Sequence, residues 1–459
     1  MIFSKNKSDL LLSKIRNGEE LNLCEKLNLI TQLSIPSILA QITSVLMFFI
    51  DASMVGHLGA RASAAIGLVE SSTWLFGSIT NAASLGFSVQ VAHFIGANDF
   101  QQARQVFRHG LICTFVLSII IAVSGILVSG HLPFWLGGGA DIAHDASMYF
   151  LIFMLVMPFF QLSNLSGAML KSSGDMRIPS VMSIMMCVLD VAFNYIFIYI
   201  FNMGVAGAAI GTAISIMVVG LSQGYFAIFR NKILALSLDH QPFVWVSDYL
   251  YSALKISAPM ALQSFLMSGA QIVSTIIVAP LGNIAIATNT FAITAESLCY
   301  MPGYGIGDAA TTLVGQSMGA KRLRLCRNFS YMTVASAMIV MSVMGMVMYV
   351  FAPEMMAILS PVNDIQALGT TVLRIEAFAE PFFAASIVAY SAFVGAGDTL
   401  RPALINLCSM WFVRLSLAAW LAKDYGLKGV WTAMAIELIF RGILFLTRLF
   451  HGRWLKATA

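Results

Sequence analysis

The chain has 459 residues, of which 58% are hydrophobic and only 10% are Asp, Glu, Lys or Arg. Soluble domains carry about 25% charged residues, so 26 basic and 22 acidic side chains cannot cover the surface of a soluble protein this long. Soluble enzymes and disordered scaffolds are therefore excluded. The net charge of +4 fits a polytopic membrane protein, whose cytoplasmic loops carry excess Lys and Arg.

Residues 1–28 are predicted to form a cytosolic N-terminal leader. They lack the compact apolar core and small-residue cleavage site of a secretory signal peptide. The apolar side chains of Leu10, Leu11, Leu12 and Ile15 would let an amphipathic helix lie on the inner leaflet of the membrane. A frayed terminus is the alternative.

Twelve apolar segments follow, each long enough to cross a bilayer, which takes about 20 apolar residues per helix. We number them as spans one to twelve in chain order. The prolines inside them are tolerated because neighbouring helices satisfy the freed carbonyl groups. The spans occupy residues 29–57, 63–92, 107–133, 143–170, 177–201, 204–229, 249–280, 284–315, 326–352, 364–394, 401–423 and 426–448.

The distribution of basic residues predicts the orientation of the chain. With the N-terminus in the cytosol, 20 Lys and Arg residues fall in inner segments, three in outer loops and three within spans. Cytoplasmic segments of membrane proteins carry this excess. Both termini of this multi-pass membrane protein are therefore expected in the cytosol.

The chain also matches itself when it is shifted by 223 residues, as Pro36 meets Pro259. Such self-similarity indicates an internal repeat. Each half holds six spans, so both halves enter the membrane from the same side. The matched segments are Ser34–Pro36 with Ser257–Pro259, Leu58–Gly59 with Leu281–Gly282, Gly96–Ala97 with Gly319–Ala320, Pro158–Phe160 with Pro381–Phe383, Gly174–Asp175 with Gly397–Asp398 and, after one slip, Gly204 and Gly207 with Gly426 and Gly429.

The predicted fold is therefore an all-α polytopic membrane protein, with twelve transmembrane helices in two six-helix lobes related by a pseudo-twofold axis. Transporters that rock two lobes around a central cavity are built in this way. The predicted divisions are a leader at 1–28, an N-lobe at 29–229, a cytosolic linker at 230–248, a C-lobe at 249–450 and a cytosolic tail at 451–459.

Several motifs of the chain, in their order and spacing, resemble the multidrug and toxic compound extrusion (MATE) family, and within it the bacterial DinF-type branch. The resemblance covers about residues 29 to 450. It is carried by VLMFFIDASMVGHLG at 45–59, GANDFQQAR at 96–104, GDMRIP at 174–179, FNYIFIYIFNMGVAGAAIGTAIS at 193–215, GAKRLRLCR at 319–327 and GDTLRP at 397–402.

The resemblance implies a secondary active antiporter, not an enzyme. Such a protein would export cationic, amphipathic compounds in exchange for protons or sodium ions by alternating access. The expected partners are small-molecule substrates and membrane lipids, with no nucleic acid, and the expected state is a monomer. No Walker motif is present, so we expect an ion gradient as the energy source and no cofactor beyond the transported cation.

Ionisable residues inside a membrane are costly to bury and are candidates for function by default. Ten such residues are expected inside the membrane and need an assignment, whereas Asp308 is expected nearer the inner surface. The ten are Asp51, Glu70, Asp190, Glu296, Glu376, Glu380, Glu437, Arg374, Arg414 and Arg441.

The depths of four polar residues in the first half agree. Span one ends near residue 57, which places Asp51 about two turns below the outer surface at roughly 1.5 Å per residue. Asn194 lies at about the same depth in span five, with Asp190 one turn deeper on the same helix face. Thr212 returns to that level in span six. These oxygen-bearing side chains predict a site for a proton or a sodium ion.

The resemblance implies the same cation-coupling site. The family uses an acid in the first helix, Asn and Asp one turn apart in the fifth, and Thr in the sixth. Asp51 and Thr212 match this pattern directly, whereas Asp190 and Asn194 stand in the reverse of the common sodium-site order. The choice between proton and sodium, including a possible sodium ion at these four residues, therefore stays open.

The second half lacks an equivalent of this site, since the repeat places Ser274, Val413 and Leu417 opposite Asp51, Asp190 and Asn194. The cation site is thus expected in the N-lobe only. Glu70 lies at the depth of Asp51 and is a possible cavity residue. Glu296, Glu376 and Glu380 are expected to be structural, and Glu437 with Arg441 to form an ion pair.

Two rival functions remain at this stage. A lipid-linked oligosaccharide flippase of the same superfamily would need a strongly cationic cavity for pyrophosphate, whereas only three Arg residues lie within spans. An intramembrane enzyme would need a nucleophile or a metal cluster, and the seven His residues fall near span ends or in loops without clustering.

Overall fold

A computed structural model describes residues 7–239 and 241–456. Within these residues the regular elements are helices, and no strand occurs. The first six residues of the predicted leader, residue 240 of the linker and the last three residues of the tail lie outside the described residues. The helices are α1 (Lys7–Arg16), α2 (Leu23–Gly56), α3 (Ala60–Gly96), α4 (Phe100–Val128), α5 (Leu132–Trp135), α6 (Ala140–Leu155), α7 (Met157–Ser172), α8 (Arg177–Tyr195), α9 (Gly204–Tyr225), α10 (Ser247–Val278), α11 (Asn283–Gly319), α12 (Leu323–Leu359), α13 (Asn363–Ala377), α14 (Glu380–Gly395), α15 (Leu400–Cys408) and α16 (Leu415–His451).

Each of the twelve predicted spans lies mainly on one or two of these helices. Among the described residues, seven helical segments are long and apolar enough to cross a membrane, or nine when two bent helix pairs are counted. The 37-residue helices α3 and α11 carry spans two and eight. The segment Leu400–His451 holds two spans, because Gly426 leaves the helical conformation at φ 58° and ψ −138°.

Spans four and ten differ from the single helices expected. Each is a bent pair, with 50° between α6 and α7 and 57° between α13 and α14. Pro158 and Pro381 stand in the first turn of α7 and α14. Proline lacks the N–H that would continue the preceding helix and disfavours helical conformation in the residue before it. The bends therefore follow from the same proline in both halves.

The internal repeat is visible in the backbone as well as in the sequence. Asn98 and Lys321, one repeat apart, both adopt a left-handed conformation, with φ 59° and φ 57°. Residues with a side chain adopt this conformation rarely, so its recurrence at matched positions indicates the same turn in both halves. Four glycine positions with positive φ also form two matched pairs: Gly59 with Gly282 and Gly174 with Gly397.

The chain divides into two compact units. One is Thr43–Ala261, and the other combines Met1–Ile42 with Leu262–Ala459. The boundaries fall inside α2 and α10, so the start of each helix packs with the unit formed mainly by the other half. The lobes at 29–229 and 249–450 stay a prediction about the sequence repeat, because these units are defined by contacts alone.

The predicted linker is held against α4. Arg104 donates hydrogen bonds to the carbonyl oxygens of Ile233 and Leu238, at 2.8 and 3.2 Å. The N–H of Val246 donates to Nε2 of His109 at 2.9 Å. These contacts satisfy backbone groups of a segment that has little regular structure of its own. The GANDFQQAR motif thus supplies an anchor, Arg104, for the connection between the two halves.

Helix α1 packs on protein, and neither sequence-based alternative describes it. Leu11, Leu12 and Ile15 are buried, whereas Leu10 is 61% exposed. Arg322, at the start of α12, donates to the carbonyl oxygen of Ile15 and to two other carbonyl groups near the end of α1. Such donors satisfy the carbonyl groups left free where a helix ends. The apolar face therefore has a protein partner.

Candidate functional site

The four residues predicted to form the cation site come together in the unit Thr43–Ala261. The Asn194 amide nitrogen donates to Oδ1 of Asp51 and to Oδ2 of Asp190, both at 3.2 Å. The carboxyl groups of Asp51 and Asp190 interact with each other, and Asp190 also interacts with the side chain of Thr212. One amide group therefore bridges two acids from α2 and α8, with α9 alongside.

The site is short of hydrogen-bond donors. Asp190 is fully buried and Asn194 is 3% exposed, and Oδ1 of each is buried without a hydrogen-bond partner among the described residues. Neither Asp51 nor Asp190 forms an ion pair with a described Lys or Arg. Buried polar oxygens normally have a partner, so this arrangement suits a bound cation that they would coordinate or share.

Close contact between α8 and α9 positions the site. A Cβ atom on Gly211 would lie 2.1 Å from Oδ1 of Asn194 and 2.8 Å from its backbone nitrogen. Only glycine therefore allows α9 to approach Asn194 this closely. Sequence reasoning did not identify Gly211, although the small residues around it in GVAGAAIGTA are typical of close helix packing in membranes.

We expect Gly211→Ala to disrupt the site through the backbone. The added methyl group must push α8 and α9 apart, and overpacking of this kind costs about 1–3 kcal/mol. Purified protein should melt at a lower temperature and lose gradient-driven export. Gly67→Ala is the matched control, because a Cβ atom at that position on α3 meets nothing within 4 Å. Equal melting and transport of the two variants would contradict the assignment.

Glu70 stands apart from this cluster. Its side chain is exposed on α3, where Trp74 donates its indole N–H to Oε1 at 3.5 Å. Sequence reasoning missed Tyr149 of α6, which interacts electrostatically with Asp51, Glu70 and Asp190. No pattern marks a tyrosine in an apolar span. The electrostatic interaction of Tyr149 with the acid pair and with Glu70 is visible only in the structure. The assignment of Glu70 as a cavity residue stays a prediction.

The second half contains a separate group of buried ionisable residues. Nε of Arg441 lies 3.3 Å from Oε1 of Glu437, in the ion pair that the spacing predicted. The Ser409 hydroxyl donates to the same oxygen at 2.5 Å. Arg414 interacts electrostatically with Glu437 and with further acids. The additional buried carboxyl groups are those of Glu296, Glu376 and Glu380.

Metal and thiol chemistry has no evident centre in the described part of the chain. No group of three or more His, Cys, Asp or Glu residues there is placed to hold a metal ion. All six cysteines are free thiols. A sodium ion at Asp51 and its neighbours would be transported cargo, and oxygen ligands of this kind suit hard cations.

A family model described as MatE matches the chain twice, at residues 36–196 and 259–420. The two matches begin at Pro36 and Pro259, the pair that defines the 223-residue repeat. Together they cover more than half of the chain, once in each half. The match therefore includes Asp51 and Asp190 in the first half and Glu296, Glu376 and Glu380 in the second.

Proteins with similar sequences and structures span nearly the whole chain. A probable multidrug resistance protein NorM of Thermotoga maritima is 25% identical over 93% of this chain and 92% of its own. A probable multidrug resistance protein YpnP of Bacillus subtilis is 26% identical over 92% and 94%. A MOP superfamily transporter of Pyrococcus furiosus has the same fold, with a TM-score of 0.89, 21% identity, and coverage of 99% and 100%.

Proposed function

The chain belongs to the MatE family of multidrug and toxic compound extrusion transporters, and from this premise we propose that it exports cationic, amphipathic compounds in exchange for protons or sodium ions. It is a multidrug efflux transporter of this family and not an enzyme. Export would proceed by alternating access, with the transported cation bound at Asp51, Asp190, Asn194 and Thr212. No cofactor is required by this scheme.

One observation carries the coupling proposal: two acids share a single amide donor inside the protein. Asn194 donates to both Asp51 and Asp190, and Oδ1 of Asp190 and Oδ1 of Asn194 have no hydrogen-bond partner in the described part of the chain. Two neighbouring carboxylates without a basic partner are costly in a low-dielectric site. Uptake of one cation removes that cost, so the occupancy of the site can favour one conformation over another.

The proposed substrate class rests on charge and aromatic surface. Phe48 and Trp74 stack with ring centroids 4.9 Å apart, and 40% and 52% of their surfaces are exposed. Glu70 lies next to them, within reach of the Trp74 indole. Aromatic faces beside a carboxylate attract organic cations. This surface supports a cationic, amphipathic compound as the exported substrate.

The three arginines within the predicted spans argue against the rival function, a lipid-linked oligosaccharide flippase. Arg441 pairs with Glu437, and Arg414 lies among several acids. Arg374 donates to the carbonyl oxygen of Tyr349 at 3.1 Å and lies over its ring. All three guanidinium groups thus have partners in the protein. A pyrophosphate carrier would need basic groups that are available to its ligand.

The direct test is dye efflux from cells that lack their own drug pumps. Cells expressing the protein are loaded with ethidium, and the proton and sodium gradients are then collapsed separately with ionophores. Efflux that stops with one gradient and survives loss of the other identifies the coupling ion. Efflux that continues without either gradient would contradict ion coupling, and efflux equal to that of empty-vector cells would contradict export of this substrate class.

We expect both termini in the cytosol of a bacterial cell, with the protein as a monomer in the inner membrane. The prediction rests on the 20 basic residues of the inner segments against three in the outer loops. A fluorescent protein that folds only in the cytosol, fused after Ala459, should be bright. Alkaline phosphatase, which is active only in the periplasm, should be inactive at the same position; the reverse result would contradict the orientation.

A further inference from the structure

An apolar groove of about 460 Å³ runs along α10 in the unit Thr43–Ala261. Sites for small organic ligands occupy about 300–1,000 Å³, so the groove is large enough to hold one. Helix α3 forms its floor, and α4 and α10 form its walls with residues one helical turn apart. The wall residues are Ile112, Val116 and Ile120 on α4 and Leu250, Leu254 and Ala258 on α10.

The groove is closed beneath and open towards the membrane. A Cβ atom on Gly86 of α3 would lie 2.6 Å from the carbonyl oxygen of Ala253 on α10, so these two helices touch below the groove. Val116, Ile120 and Leu254 on its walls are each more than half exposed. Exposed apolar side chains of a membrane span meet lipid tails, which are equally apolar. The occupant of the groove therefore enters from the bilayer.

The internal repeat shows what opens the groove. Three of its residues on α10 are alanine, whereas the matched residues of α2 are isoleucine. The pairs are Ala253 with Ile30, Ala258 with Ile35 and Ala261 with Ile38. The fold therefore accepts bulky side chains along this helix face in the other half. Since protein interiors are otherwise close-packed, the space that three alanines leave on α10 suits a ligand.

A cation stands beside the groove in the same half. Lys255 is exposed on α10, next to the wall residue Leu254. It forms no ion pair with an acid in the described part of the chain. The matched residue of α2 is the neutral Gln32. A lysine near the end of a span lays its stem along apolar surface and keeps its ammonium group in the polar interface, where a lipid carries its phosphate.

The groove has the depth of one leaflet. Trp245 lines its cytosolic end and is held there by the linker, with its ring 5.1 Å from that of His109. Tryptophan favours the membrane interface. From Leu250 to Ala261 the groove follows α10 for about 16 Å, at ~1.5 Å per residue. Half of a bilayer core is about 15 Å thick, so an acyl chain of the inner leaflet matches this length.

We propose that the groove binds one phospholipid of the inner leaflet with an anionic headgroup, its acyl chain along α10 and its phosphate at Lys255. The site is separate from the cation site and from the exported compound, so it goes beyond the proposed function. A zwitterionic ethanolamine lipid would bring its own ammonium group next to Lys255, whereas a glycerol headgroup would not. The bound chain contacts both α4 and α10 and strengthens the packing between them.

Native mass spectrometry of the full chain tests the ligand class. The protein, purified in detergent, is titrated with phosphatidylglycerol, with phosphatidylethanolamine of the same acyl chains, or with free glycerol phosphate. We expect one tightly held phosphatidylglycerol per chain, weaker retention of phosphatidylethanolamine and no retention of glycerol phosphate. Binding of glycerol phosphate as tight as that of the lipid would overturn the acyl-chain site. Equal retention of the two lipids would overturn the headgroup assignment.

Filling the groove should abolish lipid retention. The variant A258I/A261I carries the isoleucines of the other half, so it should fold and should lose the bound phosphatidylglycerol. A ligand that binds only the native state raises its melting temperature, and this rise should also disappear. A335I is the control: Ala335 is exposed on α12 and matches Ile112 in the repeat.

Two outcomes of this experiment would overturn the site. One is wild-type lipid retention by A258I/A261I. The other is a dimer of the wild-type chain that carries no lipid and that the variant abolishes, since a second copy would then occupy the groove. If the double variant does not fold, A258I is measured alone against the same outcomes, because Ala258 is exposed.

K255Q tests the headgroup, because it introduces the glutamine of the other half. Its affinity for phosphatidylglycerol should decrease about fivefold, the contribution of one basic residue near an anionic surface. Its affinity for phosphatidylethanolamine should not decrease. K423Q, at an exposed lysine of a predicted outer loop, should bind like wild type. An unchanged preference for phosphatidylglycerol in K255Q would overturn the assignment of Lys255.

Discussion

Asp51→Asn is expected to insert and fold normally and to lose gradient-driven export completely. The amide keeps the size of the side chain and its ability to accept from the Asn194 amide, a contact of 3.2 Å in the wild type. It cannot bind and release a proton, and it removes one of the two negative charges that would hold sodium. Substrate binding should survive, because the amide resembles the protonated acid.

The measurement is dye efflux from vesicles with an imposed proton or sodium gradient, normalised to folded protein. Asp141→Asn is a suitable control, since that acid is exposed in the same unit and remote from the cluster in sequence. The control should transport like wild type. Coupled transport by Asp51→Asn at the wild-type rate would show that this carboxylate is structural and that the site assignment is wrong.

Glu437→Gln should act on stability more than on any other property. It leaves Arg441 without its ion-pair partner at 3.3 Å and weakens the contact with Ser409. Breaking a buried ion pair by removing one partner costs about 3–5 kcal/mol. Natural proteins have only about 5–15 kcal/mol of stability, so a large fraction of this variant is expected to misfold.

Two measurements report the loss of stability. They are the thermal unfolding temperature of the purified protein and the yield of monodisperse protein after size-exclusion chromatography. Glu354→Gln is the matched control, because it makes the same chemical change at an exposed position on α12. The control should match wild type in both measurements. A Glu437→Gln variant that melts at the wild-type temperature would mean that other acids of the cluster neutralise Arg441 without cost.

The two halves of the molecule share a backbone but not their chemistry. Matched turns at Asn98 and Lys321 have nearly the same φ, and matched bends interrupt spans four and ten. Yet the bridged acid pair occurs on spans one and five, whereas in the second half Glu376 and Glu380 flank the bend of span ten, with no hydrogen bond to their carboxyl oxygens from the described residues. The two halves thus keep the same turns and bends, but their titratable side chains stand at different positions.

The sequence by itself determined the membrane class, the twelve spans, the internal repeat and the four candidate residues around Asp51. These features are local or periodic: the length of an apolar run fixes a span, and a charge inside it is costly wherever it points. The spacing of Asp190 and Asn194 was enough to place them on one helix face.

Only the tertiary structure decided which faces meet. It showed that Asn194 bridges two acids, that Gly211 allows α9 to approach Asn194 and that α1 packs on protein. It also showed that the carboxyl oxygens of Glu376 and Glu380 have no hydrogen-bond partner among the described residues. A helix that is apolar nearly all round has no preferred face in its sequence pattern. Its rotation is set by packing against helices far away in the chain, which a linear pattern does not record.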